Sequence, residues 1–169
     1  MCRTKKELTG RFVKSSRSNF LKSMDISCYS FVDLARRSAP LMTNGGSILT
    51  VTFMGGKKVT PSYNVMGPVK AALESSVRYL ANDLGSDGIR VNAISPGPMK
   101  TLAGAAIGGA RQVFRGTEKN APLRKNADLD AVGKAALFLL SDNSLSTTGE
   151  IIYVDGGYHI MGLPSLENL

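Results

Sequence analysis

Apolar residues recur every third or fourth position through the middle of this chain, at Val65, Val69, Leu73, Val77, Leu80, Ala81 and Leu84. That spacing predicts a helix buried along one face, closed by the glycines of Gly85 to Gly88. Upstream, Phe20, Met24, Phe31, Leu34, Ala35 and finally Leu41 suggest another helix, with Ser16 or Ser18 as its cap. Asn44-Gly45-Gly46 breaks that pattern, and Ser47-Ile-Leu-Thr-Val-Thr-Phe53 follows, β-rich and of strand length. After the helix from Val65, Ile89-Arg-Val-Asn-Ala-Ile-Ser95 is a second predicted strand, stopped by Pro96-Gly97-Pro98. The stretch from Thr101 to Gly116 is rich in Gly and Ala and weakly patterned, as expected of a mobile cover over a site. Asp128 or Asp130 then caps a helix through Val132, Ala136, Leu139 and Leu140. Ile151-Ile-Tyr-Val-Asp155 is a third strand, ended by Gly156-Gly157. Strands alternating with helices predict an α/β fold with a parallel sheet covered on both faces.

Composition narrows the classes. A chain of 169 residues, 43% hydrophobic and 20% charged, suits one globular domain over residues 1–169. No apolar run approaches the ~20 residues needed to span a bilayer. The N-terminus has no apolar stretch of the kind a secretory signal carries, so a cytoplasmic protein is expected. Cys2 and Cys28 lack CxxC spacing and His159 is the single histidine, which argues against a metal site. The net charge of +8 is concentrated early, in Arg3, Lys5, Lys6, Arg11, Lys14, Arg17 and Lys22. Neither interleaved aromatics nor a helix-turn-helix pattern accompanies it, so it reads as a solvated surface and not as a nucleic-acid site.

The chemistry concentrates at Tyr63 and Lys70. An i, i+7 pair returns to one face of a helix, so a phenol and an ammonium can address one small site. A hydrogen-bond donor beside a fixed positive charge suits a reaction that places negative charge on a carbonyl oxygen. The alternative is a surface Tyr and Lys that never meet.

Three segments carry a resemblance: Tyr63 to Leu73, Gly88 to Ala103, and Thr148-Gly-Glu-Ile-Ile-Tyr-Val-Asp-Gly-Gly157. They resemble the short-chain dehydrogenase/reductase superfamily. Most of its members carry Tyr-x3-Lys, yet Tyr29, Tyr63, Tyr79, Tyr153 and Tyr158 are followed four residues on by Asp33, Gly67, Asp83, Gly157 and Gly162. Tyr-x6-Lys, with Tyr63-Asn-Val-Met-Gly67 and Gly97-Pro98-Met99-Lys100-Thr101-Leu102-Ala103, is similar to the divergent branch of NADH-dependent enoyl-acyl-carrier-protein reductases.

The resemblance implies the C-terminal part of a Rossmann-like, doubly wound parallel sheet, three strands with flanking helices, the first βαβ units being absent. About three βα units of ~30 residues each, on the order of 90 residues, would stand before it, including the glycine-rich pyrophosphate turn. A fragment, a truncated reading frame and a partial gene model all fit, and the chain alone is then expected to be inactive.

The resemblance further implies hydride transfer from NADH, NADPH not being excluded, to a trans-2-enoyl thioester of type II fatty-acid synthesis. Tyr63 would donate a hydrogen bond to the thioester oxygen and Lys70 would bind the nicotinamide ribose. Met99, Lys100, Thr101, Leu102 and Ala103 would line the cofactor. Phe53 occupies the position of a second family tyrosine and lacks its hydroxyl. Pro68 and Pro96 also depart from the family's small residues, and Pro68 is tolerable if the helix begins near Gly67. The expected partner is acyl carrier protein, steered by Arg111 and Arg115. A homotetramer is expected, with the strand ending at Asp155 and Tyr158 to Gly162 contributing, in the bacterial cytosol more than in a plastid. The competing readings are a 3-oxoacyl-type reductase, against which Thr50 stands in place of that group's serine, and a non-catalytic remnant.

Overall fold

The computed structural model describes residues 10–101 and 109–168. Its sheet has three parallel strands in the order β1 (Gly46–Val51), β2 (Ile89–Pro96) and β3 (Ile151–Val154). Gly46 pairs with Ile89 and Val51 with Ile94, while Ala93 pairs with Ile151 and Pro96 with Val154. Central β2 is buried nearly throughout, as expected of a parallel strand covered on both faces. Its one buried amide is satisfied: Asn92 donates to the Thr147 carbonyl and accepts from the Glu150 N–H. At the sheet's lower end Gly45 and Gly88 touch, and a Cβ on Gly45 would lie 2.6 Å from the Gly88 oxygen.

Helices cover both faces. α1 (Arg17–Met24) starts at Ser16, whose hydroxyl accepts from the Asn19 N–H at 3.1 Å. It runs through a π-helical turn, Asp25–Tyr29, into α2 (Ser30–Ser38). The wider turn rotates the apolar stripe. Cys28 and Ala35 are buried, whereas Leu34 and Leu41, expected to share that stripe, are 66% and 83% exposed, Leu41 lying beyond α2 on a 3-10 turn, Ala39–Leu41. α3 (Met66–Leu84) buries Val69, Leu73, Val77 and Ala81 against Ile89, Val91 and Ala93 of the sheet on one side and Cys28 on the other. It begins at Met66, so Pro68 is its third residue. It still lies within the first turn, where no backbone N–H has an intrahelical acceptor to lose.

α4 (Ala110–Asn120) and α5 (Leu129–Leu140) complete the set among the described residues. The expected cover over 101–116 is thus helical from Ala110, and its residues 102–108 lie outside the described residues. Val113, Phe114 and buried Thr117, at i, i+1 and i+4, give α4 an inward stripe that the neighbouring glycines and alanines hide in the sequence. α5 is capped at both ends. Asp128 accepts from the Ala131 N–H at 2.7 Å, and the Arg90 guanidinium donates to the Leu139 and Ser141 carbonyls. No helix among the described residues is long and apolar enough to cross a membrane.

Candidate active site at the ends of the strands

The C-terminal ends of β1, β2 and β3 lie side by side, which is where open parallel sheets hold their ligands. β1 ends at Val51 and leads into Thr52, Phe53 and a 3-10 turn, Met54–Gly56. Tyr63 does not sit on α3. It precedes the first helical residue by three positions, so the helical i, i+7 argument does not place it. Instead Tyr63 lies between two left-handed residues, Ser62 at φ 62° and Asn64 at φ 50°.

That bend turns the Tyr63 ring onto Phe53, with centroids 5.0 Å apart at 57°. Gly55 passes so close that a Cβ there would lie 2.5 Å from the ring. Asn64 anchors the bend by accepting from the Ser15 hydroxyl and donating to the Gly10 carbonyl. Lys70, one turn into α3, reaches back and donates to the Val51 carbonyl at 2.8 Å. The phenol ring and the ammonium therefore converge on the same few residues, 51–55, by a route other than helical periodicity.

Burial lowers the Lys70 pKa from its ordinary value, while the charges of Glu74 and Cys28 pull it the other way. Glu74 is itself buried and accepts from the Thr52 hydroxyl at 2.8 Å. Thr52 and Glu74 lie outside the motifs of the sequence, whereas Asn64 stands within Tyr63-Asn-Val-Met-Gly67. The one available signal was a glutamate inside an otherwise apolar stripe.

At the end of β2, Gly97 donates to the Val154 carbonyl and the Thr101 N–H closes a turn on the Met99 carbonyl. The Lys100 ammonium lies 5.1 Å from the Phe114 ring centroid on α4. Leu102 and Ala103 lie outside the described residues. The Ser95 hydroxyl is buried without a hydrogen-bond partner.

Beyond β3, buried Asp155 accepts from the backbone of Gly157 and His159 and pairs with His159 Nδ1 at 3.0 Å. The His159 ring stacks on Tyr153 at 4.0 Å. With Met54, Lys57 and Lys58 these rings line a cavity of about 150 Å³ between the β1 and β3 loops. Among the described residues no group of three or more His, Cys, Asp or Glu side chains is placed to hold a metal ion.

Fold and strand-end site together define an α/β protein of the Rossmann-like class. A family model described as enoyl-(acyl carrier protein) reductase matches residues 2–159, and the chain belongs to that family. It is 55% identical over 165 residues to "Enoyl-[acyl-carrier-protein] reductase [NADH] 2" of Rhizobium meliloti, covering 98% of this chain and 62% of that protein.

Solved structures agree. A reductase of this name from Anaplasma phagocytophilum in complex with NAD superposes with a TM-score of 0.92 at 56% identity, covering 96% of this chain and 62% of that one. The Bacillus cereus enzyme with NADP+ and an indole naphthyridinone gives 0.92 at 50% identity, over 95% of this chain and 62% of that one. The chain thus spans about three-fifths of the length of these relatives.

Proposed function

We propose that this chain carries the substrate-facing part of an NADH-dependent enoyl-[acyl-carrier-protein] reductase of type II fatty-acid synthesis. The observation that carries the reading is that the Tyr63 ring packs on Phe53 and the Lys70 ammonium binds the Val51 carbonyl, both at the end of β1, in a chain of that family. The residues present fit a nicotinamide dinucleotide. Lys70 offers an ammonium for ribose hydroxyls, Met99, Lys100 and Thr101 follow at the end of β2, and the Ser95 hydroxyl is a buried polar group with no partner of its own. Leu102 and Ala103 continue the same lining in this reading. When bound, reduced nicotinamide supplies the hydride for the β-carbon of a trans-2-enoyl thioester. NADPH is the second cofactor to try, since the Bacillus cereus neighbour holds NADP+.

Tyr63 then donates a hydrogen bond to the thioester oxygen as that oxygen becomes anionic, and Lys70 orients the ribose while its charge favours the same anion. Phe53 holds the Tyr63 ring by contact alone and adds no second hydroxyl. The acidic acyl carrier protein meets Arg111, Arg115 and Lys119, exposed at four-residue spacing along α4. A homotetramer in the bacterial cytosol completes the reading.

The test uses a full-length form of the family that carries this chain's residues over the matched region. Tyr63→Phe should lower kcat ~10²- to 10³-fold with NADH affinity nearly intact, because its bond strengthens only in the transition state. Lys70→Ala should first weaken NADH binding, by ~1.5–3 kcal/mol for a lost charge-assisted hydrogen bond. NADH fluorescence titration beside enoyl-thioester kinetics separates the two. Equal loss of cofactor affinity in both variants, or undiminished turnover in Tyr63→Phe, means the roles are wrongly assigned.

A further inference from the structure

Lys70 and the next turn of α3 are tied to the same point of β1. The Lys70 ammonium donates to the Val51 carbonyl at 2.8 Å, and one helical turn later, on the same face of α3, stands Glu74. The next residue of the chain after Val51 is Thr52, whose hydroxyl donates to Glu74 Oε1 at 2.8 Å. Two consecutive residues at the end of β1 thus grip two consecutive turns of α3. Thr52 and Glu74 are each only 3% exposed. The loop above them is shaped to the carboxylate, since a Cβ on Gly56 would lie 2.8 Å from Glu74 Oε1 and 3.1 Å from the Ala71 nitrogen.

A carboxylate so far from water is costly unless it is hydrogen-bonded and faces a cation. Thr52 supplies the hydrogen bond, and Lys70 is the cation one turn away.

We propose that Glu74, fixed by the Thr52 hydroxyl, is a positioning residue for Lys70, holding its ammonium against the end of β1 where the site opens. The consequence for nicotinamide binding rests on the reductase reading above, but the pairing itself does not. Electrostatics agree with the geometry, since Glu74 opposes the effect of burial on Lys70. The other titratable group that bears on Lys70 is Cys28, on the π-helical turn packed against α3. From β1 the contacts are neutral, the Val51 carbonyl and the Thr52 hydroxyl.

A purely structural Glu74 would tie α3 to β1 without altering how Lys70 titrates. The deciding experiment follows the lysine ammonium signals of the 169-residue chain by NMR against pH, with Lys70 assigned by the signal lost in Lys70→Arg. Glu74→Gln should move the Lys70 midpoint to lower pH, because removing the negative charge one turn away favours the neutral amine. Thr52→Val should move it in the same direction, and Thr52→Ser should restore it. The response to Glu74→Gln should persist in a Cys28→Ala background.

An unchanged Lys70 midpoint in folded Glu74→Gln overturns the proposal. If that variant does not fold, the Thr52 pair decides, and a Val variant indistinguishable from Ser overturns it equally. NADH titration of the full-length form is a separate arm. Absence of binding there would remove the reductase reading and leave the Lys70 titration to judge the pairing.

Discussion

Ser62 carries the strain that aims Tyr63. It holds a left-handed backbone at φ 62° without the side-chain amide that makes Asn64 comfortable at φ 50°. Ser62→Val adds a β-branched side chain where such residues are outliers and should cost ~1–2 kcal/mol. Ser62→Gly should be neutral or stabilising, because glycine meets no Cβ penalty there. Urea denaturation midpoints compare the two. A Val variant as stable as the Gly variant would show that the turn relaxes freely and that Tyr63 is aimed by its ring contacts alone.

For the elements, stability rests on caps as much as on apolar stripes. The oxygen of Asp128 that accepts from the Ala131 N–H closes the start of α5, and Arg90 closes its end from the neighbouring strand. Asp128→Ala should therefore destabilise by ~0.5–2 kcal/mol, while Asp128→Asn keeps most of the cap. Thermal melts of both variants give the measurement, and equal losses would mean that the charge of Asp128, not its hydrogen bond, matters. The π-helical turn between α1 and α2 acts at this scale too. It leaves no composition signal, yet it carries Cys28, buried against α3.

Across the whole molecule, charge and sheet topology set how the chain meets others. The net charge of +8 favours acidic partners, and Arg111, Arg115 and Lys119 present part of it along the exposed side of α4. Reversing two of these charges, Arg111→Glu with Arg115→Glu, should raise the KM for a carrier-protein thioester in the full-length form and flatten its salt dependence. Kinetics with a small enoyl thioester should hardly change. An equal effect on both substrates would place these arginines in the site itself and not on a docking face. β1 is an edge strand of the described sheet, hydrogen-bonded to β2 on one side. Such an edge is a ready template for a further strand.

Sequence by itself determined the order of the three strands and of the helices other than α4, the buried stripe of α3, a cap at Asp128 or Asp130 and the family resemblance. These are local properties, set by side-chain periodicity, capping chemistry and motif spacing within one stretch of chain. Only tertiary structure decided how Tyr63 and Lys70 each reach the end of β1. Tyr63 comes to the end of β1 through two left-handed residues and a glycine contact, and Lys70 through a strand carbonyl, not through a shared helix face. The Thr52–Glu74 hydrogen bond spans 22 positions, so no local pattern could register it. Leu34 fell off the stripe on the helix that follows the wider turn, and Leu41 because α2 ends at Ser38 and a 3-10 turn, Ala39–Leu41, follows. Apolar period fixes which residues want burial; the partner surface decides which of them obtain it.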